Sequence, residues 1–242
     1  MSLVAPEPSP LLLYGFLGLV VGTVALALVG VRRAVTEEGA LAARRSGVGL
    51  AIWMVVTGGQ AWRGALADFE AVPPALMVTV FVGAVCTIIV AVGRIGKQLA
   101  AGSSVAGLIG FQAFRLPLEL IMHRATTEGI MPVQMSFEGR NLDIVTGILA
   151  ACIGGVFMAR KRPVPPAIAW GFNILGFALL LNIVVVSVAS VPTFAAFGPE
   201  QLNTWVAFFP FVWLPAVFVM LALFGHIVLT RRLLEQGRSA SS

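Results

Sequence analysis

The stretch "GFQAFRLPLELIMHRATTEG", Gly110–Gly129, decides how this chain is read. It follows an apolar run and has the makings of the outer half of a membrane helix, yet it carries Gln112, Arg115, Glu119, His123 and Arg124. Positions four apart lie on one face of a helix. Arg115, Glu119 and His123 therefore form one stripe, with Gln112 beside Arg115. A charge turned toward lipid is costly, so the stripe is expected to face inward and pair. The expected pair is Glu119 held by Arg115, with His123 in reach of the same carboxylate; because glutamate before its basic partner is the better order, Glu119 to His123 is the better-fitting spacing and Arg115 is open to sharing with a carboxylate elsewhere. Pro117, between them, lacks an N–H and frees the carbonyl near Ala113, which predicts a loosened turn.

Composition supports a membrane setting. Of 242 residues, 58% are hydrophobic and only 11% charged, and the mean hydropathy is +0.95. Soluble domains carry about 25% charged residues. The pI near 10.2 does not point to nucleic acid, because the basic residues sit in short segments between apolar runs. Cys86 and Cys152 each fall inside an apolar run and read as packing residues. The first ten residues, "MSLVAPEPSP", lack a basic region, so the run that follows is expected to be an uncleaved helix.

A bilayer core needs about 20 apolar residues of helix. Seven runs approach this, over residues 11–31, 47–67, 75–93, 99–122, 142–159, 166–189 and 205–230. The expected fold is one all-α domain, a bundle of seven transmembrane helices. Twelve of the sixteen cations follow the odd-numbered helices: Arg32, Arg33, Arg44, Arg45, Arg94, Lys97, Arg160, Lys161, Arg162, Arg231, Arg232 and Arg238. The positive-inside rule makes that side cytoplasmic, with the N-terminus outside and the C-terminus inside. Small residues at helix-packing spacing occur at Gly18/Gly22, Gly102/Ala106/Gly110 and Ala150/Gly154.

The remaining arginines, Arg63, Arg115, Arg124 and Arg140, fall on the opposite, acid-rich side, where topology does not explain them. Gln60, Arg63, Arg115, Glu119 and Asn182 are expected to converge at similar depth. The segment "MSFEGRNLD", Met135–Asp143, reads as a loop in which Asn141 or Asp143 caps the next helix, or as a re-entrant loop turning Glu138 and Arg140 into a pocket. The candidate ligand-binding set is thus Arg63, Arg115, Glu119, His123, Glu138 and Arg140. No metal site is expected. Glu119 and His123 have acceptable spacing, but the only other histidine, His226, lies near the far end of the last helix and reads as interfacial or packing. Lys97 and Lys161 lie at loops, so no last-helix lysine is available for a Schiff base. No cofactor is indicated. Trp205 and Trp213 fit an interfacial aromatic belt.

The segments "FRLPLELIMHR", "MSFEGRNLDIVTG" and "FFPFVWLPAVFVMLALFGHIVLTRRL" together resemble a group of uncharacterised bacterial polytopic inner-membrane proteins. The resemblance implies a bacterial inner-membrane setting and no particular activity. From the residues, the expected function is binding or passage of a small polar or anionic molecule, a proton or a lipid headgroup at an outward-facing polar pocket, with the bilayer as its surroundings. Arg63, Arg115 and Arg140 would hold an anion there, and Glu119 with His123 would exchange protons. The alternatives are an intramembrane enzyme acting on a lipid-linked substrate and a structural subunit of a membrane complex.

Overall fold

A computed structural model describes residues 3–35 and 39–241. Among the described residues the fold is helical, without strands: α1 Pro10–Ala34, α2 Gly39–Trp62, α3 Ala75–Val92, α4 Arg94–Gly102, α5 Val105–Phe111, α6 Arg115–Thr127, α7 Ile144–Ala159, α8 Pro166–Ala189 and α9 Val219–Ser241. Six segments are long and apolar enough to cross a membrane: α1, α2, α3, the α5–α6 unit (Val105–Thr127), α8 and Leu214–Arg238. The seventh expected crossing, α7, has 16 residues. At 1.5 Å per residue it rises about 24 Å, short of an average hydrocarbon core.

Three expected boundaries change for local reasons. The fourth run does not begin at 99. Instead α4 stops at Gly102, and the Ser104 hydroxyl caps α5 by accepting from Gly107 N–H at 3.0 Å. Arg94 and Lys97 thus sit on a separate short helix packed against α1, α3 and α9. The second run starts earlier and ends sooner, so Arg44 and Arg45 are helical and Arg63 lies beyond the end of α2. The last run begins later. Trp205–Ala207 is a single tight turn, and regular helix starts only after a wide turn at Leu214–Phe218, with Pro215 where no backbone donor is required. The Ala216 carbonyl in this wide turn accepts from Trp53 Nε1 at 2.9 Å, and Trp213 Nε1 donates back to the Met54 carbonyl at 3.1 Å. Trp205 is buried against Phe211 rather than lying in an interfacial belt.

The α5–α6 unit passes through a tight turn at Gln112–Phe114, which contains Ala113, whose carbonyl Pro117 leaves without its helical donor. Beside this bend α7 approaches more closely than side chains allow. A Cβ on Gly154 would lie 2.5 Å from Gly110 Cα, and one on Gly147 would lie 2.4 Å from Leu116 N. The small-residue faces of these two runs are therefore true contact surfaces. That of α1 is not, since Gly18 and Gly22 meet nothing within 4 Å. The main apolar core joins α1, α6 and the start of α9, with Phe16 edge-on to Phe211 and Phe218 and Phe114 stacked on Phe218. At one end, Ser9 caps α1 and donates to Glu128, which also receives Arg124 Nε. The Ser9 bonds, ahead of Arg124, hold the Glu128 carboxyl below the usual range.

Gly154→Val is expected to lower stability by about 1–3 kcal/mol or more through overpacking. Gly155→Val, where a Cβ meets nothing within 4 Å, is the control. Equal melting temperatures for the two variants in detergent would contradict the close α5–α7 contact.

Candidate functional site

The close seating of α7 brings its first turn against the start of α6. Arg115, 1% exposed, places Nη1 2.7 Å from Asp143 Oδ1. The same nitrogen lies 3.4 Å from the Gly176 carbonyl of α8. Asp143 does not cap α7 with its side chain, as expected from the sequence, because its carboxylate is turned to Arg115 instead. Asn141 Oδ1 instead accepts from the Asp143 N–H at 3.1 Å, an Asx turn that leads into α7.

Glu119 is buried at 2% exposure but is not paired with Arg115 as expected. Both of its oxygens lie 2.9 Å from Asn141 Nδ2, which also approaches the Met135 carbonyl at 3.1 Å. The reason is geometric. Asp143 presents a carboxylate across the helix interface to Arg115, while the loop after α6 folds back and delivers an amide to Glu119. The order of partners also agrees with helix-pair preference, since arginine before glutamate is the weaker i,i+4 arrangement.

His123 does not reach Glu119. Its ring stacks on Phe137 at 4.8 Å, and its Nδ1 stands 3.8 Å from Glu138 Oε1 at a solvent-accessible edge. Glu138 and Arg140 are exposed, so the loop does not turn them into a pocket. The Arg140 guanidinium lies over the Phe197 ring, 5.1 Å from its centroid, and its backbone carbonyl accepts from Asn182 Nδ2 at 2.7 Å. Gln60 and Arg63 are exposed and do not join Arg115. Of the six expected ligand-binding residues, the structure therefore gathers only Arg115 and Glu119. It adds Asn141 and Asp143, two residues whose sequence context supports an equally good reading as helix caps.

These four groups form one wall of a cavity of about 460 Å³, within the roughly 300–1,000 Å³ usual for small-molecule sites. The remainder is overwhelmingly apolar, built from Leu76 and Val80 of α3, Leu118 and Met122 of α6, Ile183 of α8 and Phe218 before α9, with Ser187 and Asn203 as further polar contributors. Phe81 of α3 and Val188 of α8 line the cavity and are themselves exposed. The lining thus reaches the flank of the bundle at α3 and α8. The expectation of a polar pocket is corrected: the pocket is apolar with a polar wall.

A second buried polar group continues along the bundle. His226, 0% exposed and therefore not interfacial, places Nδ1 2.8 Å from Asn173 Oδ1. Asn173 Nδ2 donates to Thr230 Oγ1 at 2.7 Å, and Thr230 donates to the His226 carbonyl. The ring fits because position 176 is glycine, where a Cβ would fall 2.6 Å from His226 Cε1. Gln112 Nε2 donates to the Ala222 carbonyl at 3.1 Å, fastening α5 to α9 between the two polar groups.

Arg115→Met alone should cost about 3–5 kcal/mol, because it strands Asp143. The double variant Arg115→Met/Asp143→Leu should recover most of that loss, whereas Arg115→Met/Glu119→Leu should not. Melting temperatures in detergent decide it, and equal recovery in both doubles would refute the pairing. In comparisons with known proteins, no family model, no curated protein and no solved structure matches this chain.

Proposed function

We propose that this protein is a seven-crossing protein of a bacterial inner membrane that binds an amphiphile from the bilayer, with its chain in the apolar cavity and its polar end against Arg115, Glu119, Asn141 and Asp143. The observation that carries this reading is the cavity's composition. Apolar walls beside one compact polar face match a molecule with a long hydrocarbon body and a small hydrogen-bonding head. The exposed lining residues Phe81 of α3 and Val188 of α8, on the flank of the bundle, support entry from the membrane. A purely polar ligand would leave most of the wall without favourable contact.

The topology belongs to the same proposal. Charge asymmetry puts the C-terminus in the cytoplasm and the cavity in the outer half of the bundle, and α7 spans by local thinning of the bilayer or by burial among its neighbours. A periplasm-only reporter fused after Ser239 should be inactive and a cytoplasm-only reporter active. The reverse result would invert the depth of the cavity and reject this topology.

Ala84 of α3 lines the cavity in the same helix as the exposed Phe81. Ala84→Phe should lower the amount of co-purifying amphiphile, read by native mass spectrometry, by at least about tenfold, with little change in melting temperature. If wild-type protein carries and binds no amphiphile, or if Ala84→Phe carries as much as wild type, the proposal is wrong.

A further inference from the structure

We infer that the cavity selects an uncharged headgroup, a hydroxyl or carbonyl on a long apolar chain, and rejects the phosphorylated form of the same chain. This inference rests on the amphiphile-binding reading and specifies its ligand class.

The argument is one of charge and hydrogen-bonding capacity. Only three ionisable side chains line the cavity among the described residues: Arg115, Glu119 and Asp143. The arginine is already neutralised by Asp143 at 2.7 Å. Glu119 has no cation in its hydrogen-bonding shell; its neighbour there is the neutral amide of Asn141. The wall therefore carries one negative charge with both carboxylates ionised and none with Glu119 protonated. It is cationic in neither state. The other arginines at this end do not compensate, since Arg124 is engaged by Glu128, Arg140 lies on Phe197, and Arg63 is exposed beyond α2.

A phosphate monoester would bring about 1.5–2 negative charges to this wall. Burying them without a free cation is strongly unfavourable. An ammonium head has no acceptor to offer, whereas Arg115 Nε and Nη2 lack any acceptor in the structure. A hydroxyl satisfies both sides of the wall, because its oxygen can accept from an arginine N–H while its proton is donated to a carboxylate. A carbonyl serves equally when Glu119 is the protonated partner.

The test uses the full-length protein in nanodiscs and three radiolabelled probes that share one chain: farnesol, farnesyl phosphate and farnesylamine. Farnesol is expected to bind at least about tenfold more tightly than either charged probe. Glu119→Gln should narrow the gap between farnesol and farnesyl phosphate by removing a negative charge at constant size. If that variant does not fold, the wild-type series decides alone. Tighter or equal binding of farnesyl phosphate or farnesylamine overturns the uncharged-head inference and leaves the amphiphile reading standing. Binding of none of the three defeats both.

Discussion

A guanidinium in the apolar interior of a helix bundle is stable only if a counter-charge is delivered to it, and the bundle is arranged around that requirement. Arg115 is 1% exposed and its partner Asp143 stands on a different helix. The pair can form only if α7 comes within backbone contact of the α5–α6 unit. Gly147 and Gly154 permit this approach, and each stands where a side chain would collide with the opposing backbone. Removing either charge strands the other in a poorly solvated place, so the pair contributes more to specifying the arrangement than to net stability.

The same approach explains the neighbouring interactions. Once Asp143 is committed to Arg115, its side chain does not cap its own helix, and Asn141 Oδ1 fixes the chain ahead of α7 by accepting from the Asp143 N–H. The amide end of Asn141 is then turned toward Glu119 and meets both carboxylate oxygens. One short segment of loop thus supplies a carboxylate to Arg115 and an amide to Glu119, and it closes one side of the cavity. The polar groups share a wall because they share this segment, and the rest of the cavity stays apolar because α3, α6, α8 and α9 contribute aliphatic and aromatic side chains there.

A second consequence concerns depth. The polar interior does not stop at the ion pair. Arg115 reaches the Gly176 carbonyl, and the same glycine makes room for His226, whose ring is tied through Asn173 to Thr230. Buried polar groups of this kind restrict helix rotation, because a turn of α8 or α9 would leave Asn173 or His226 without a partner.

The sequence by itself determined the helices long and apolar enough to cross a membrane, the inward direction of Arg115 and Glu119, the loosened turn ahead of Pro117 and the small-residue faces, of which those on α5 and α7 meet and that on α1 does not. All follow from local properties: hydropathy, residue spacing along a helix, a missing N–H and the absence of side chains at glycine. It did not determine the partners. Arg115 lies four residues from Glu119, within pairing reach although in the weaker order, yet Asp143, 28 residues away, takes the arginine. Nor did it separate Arg63, Glu138 and Arg140 from the site, since charge and position on one side of a membrane do not say which way a side chain turns. His226 read as interfacial or packing because its place along the chain gives depth but not rotation, and its burial selects packing. Those choices depend on which helix faces meet. Helix contact is settled by shape and by the cost of leaving a buried charge unpaired, and both are properties of the assembled bundle rather than of any one segment.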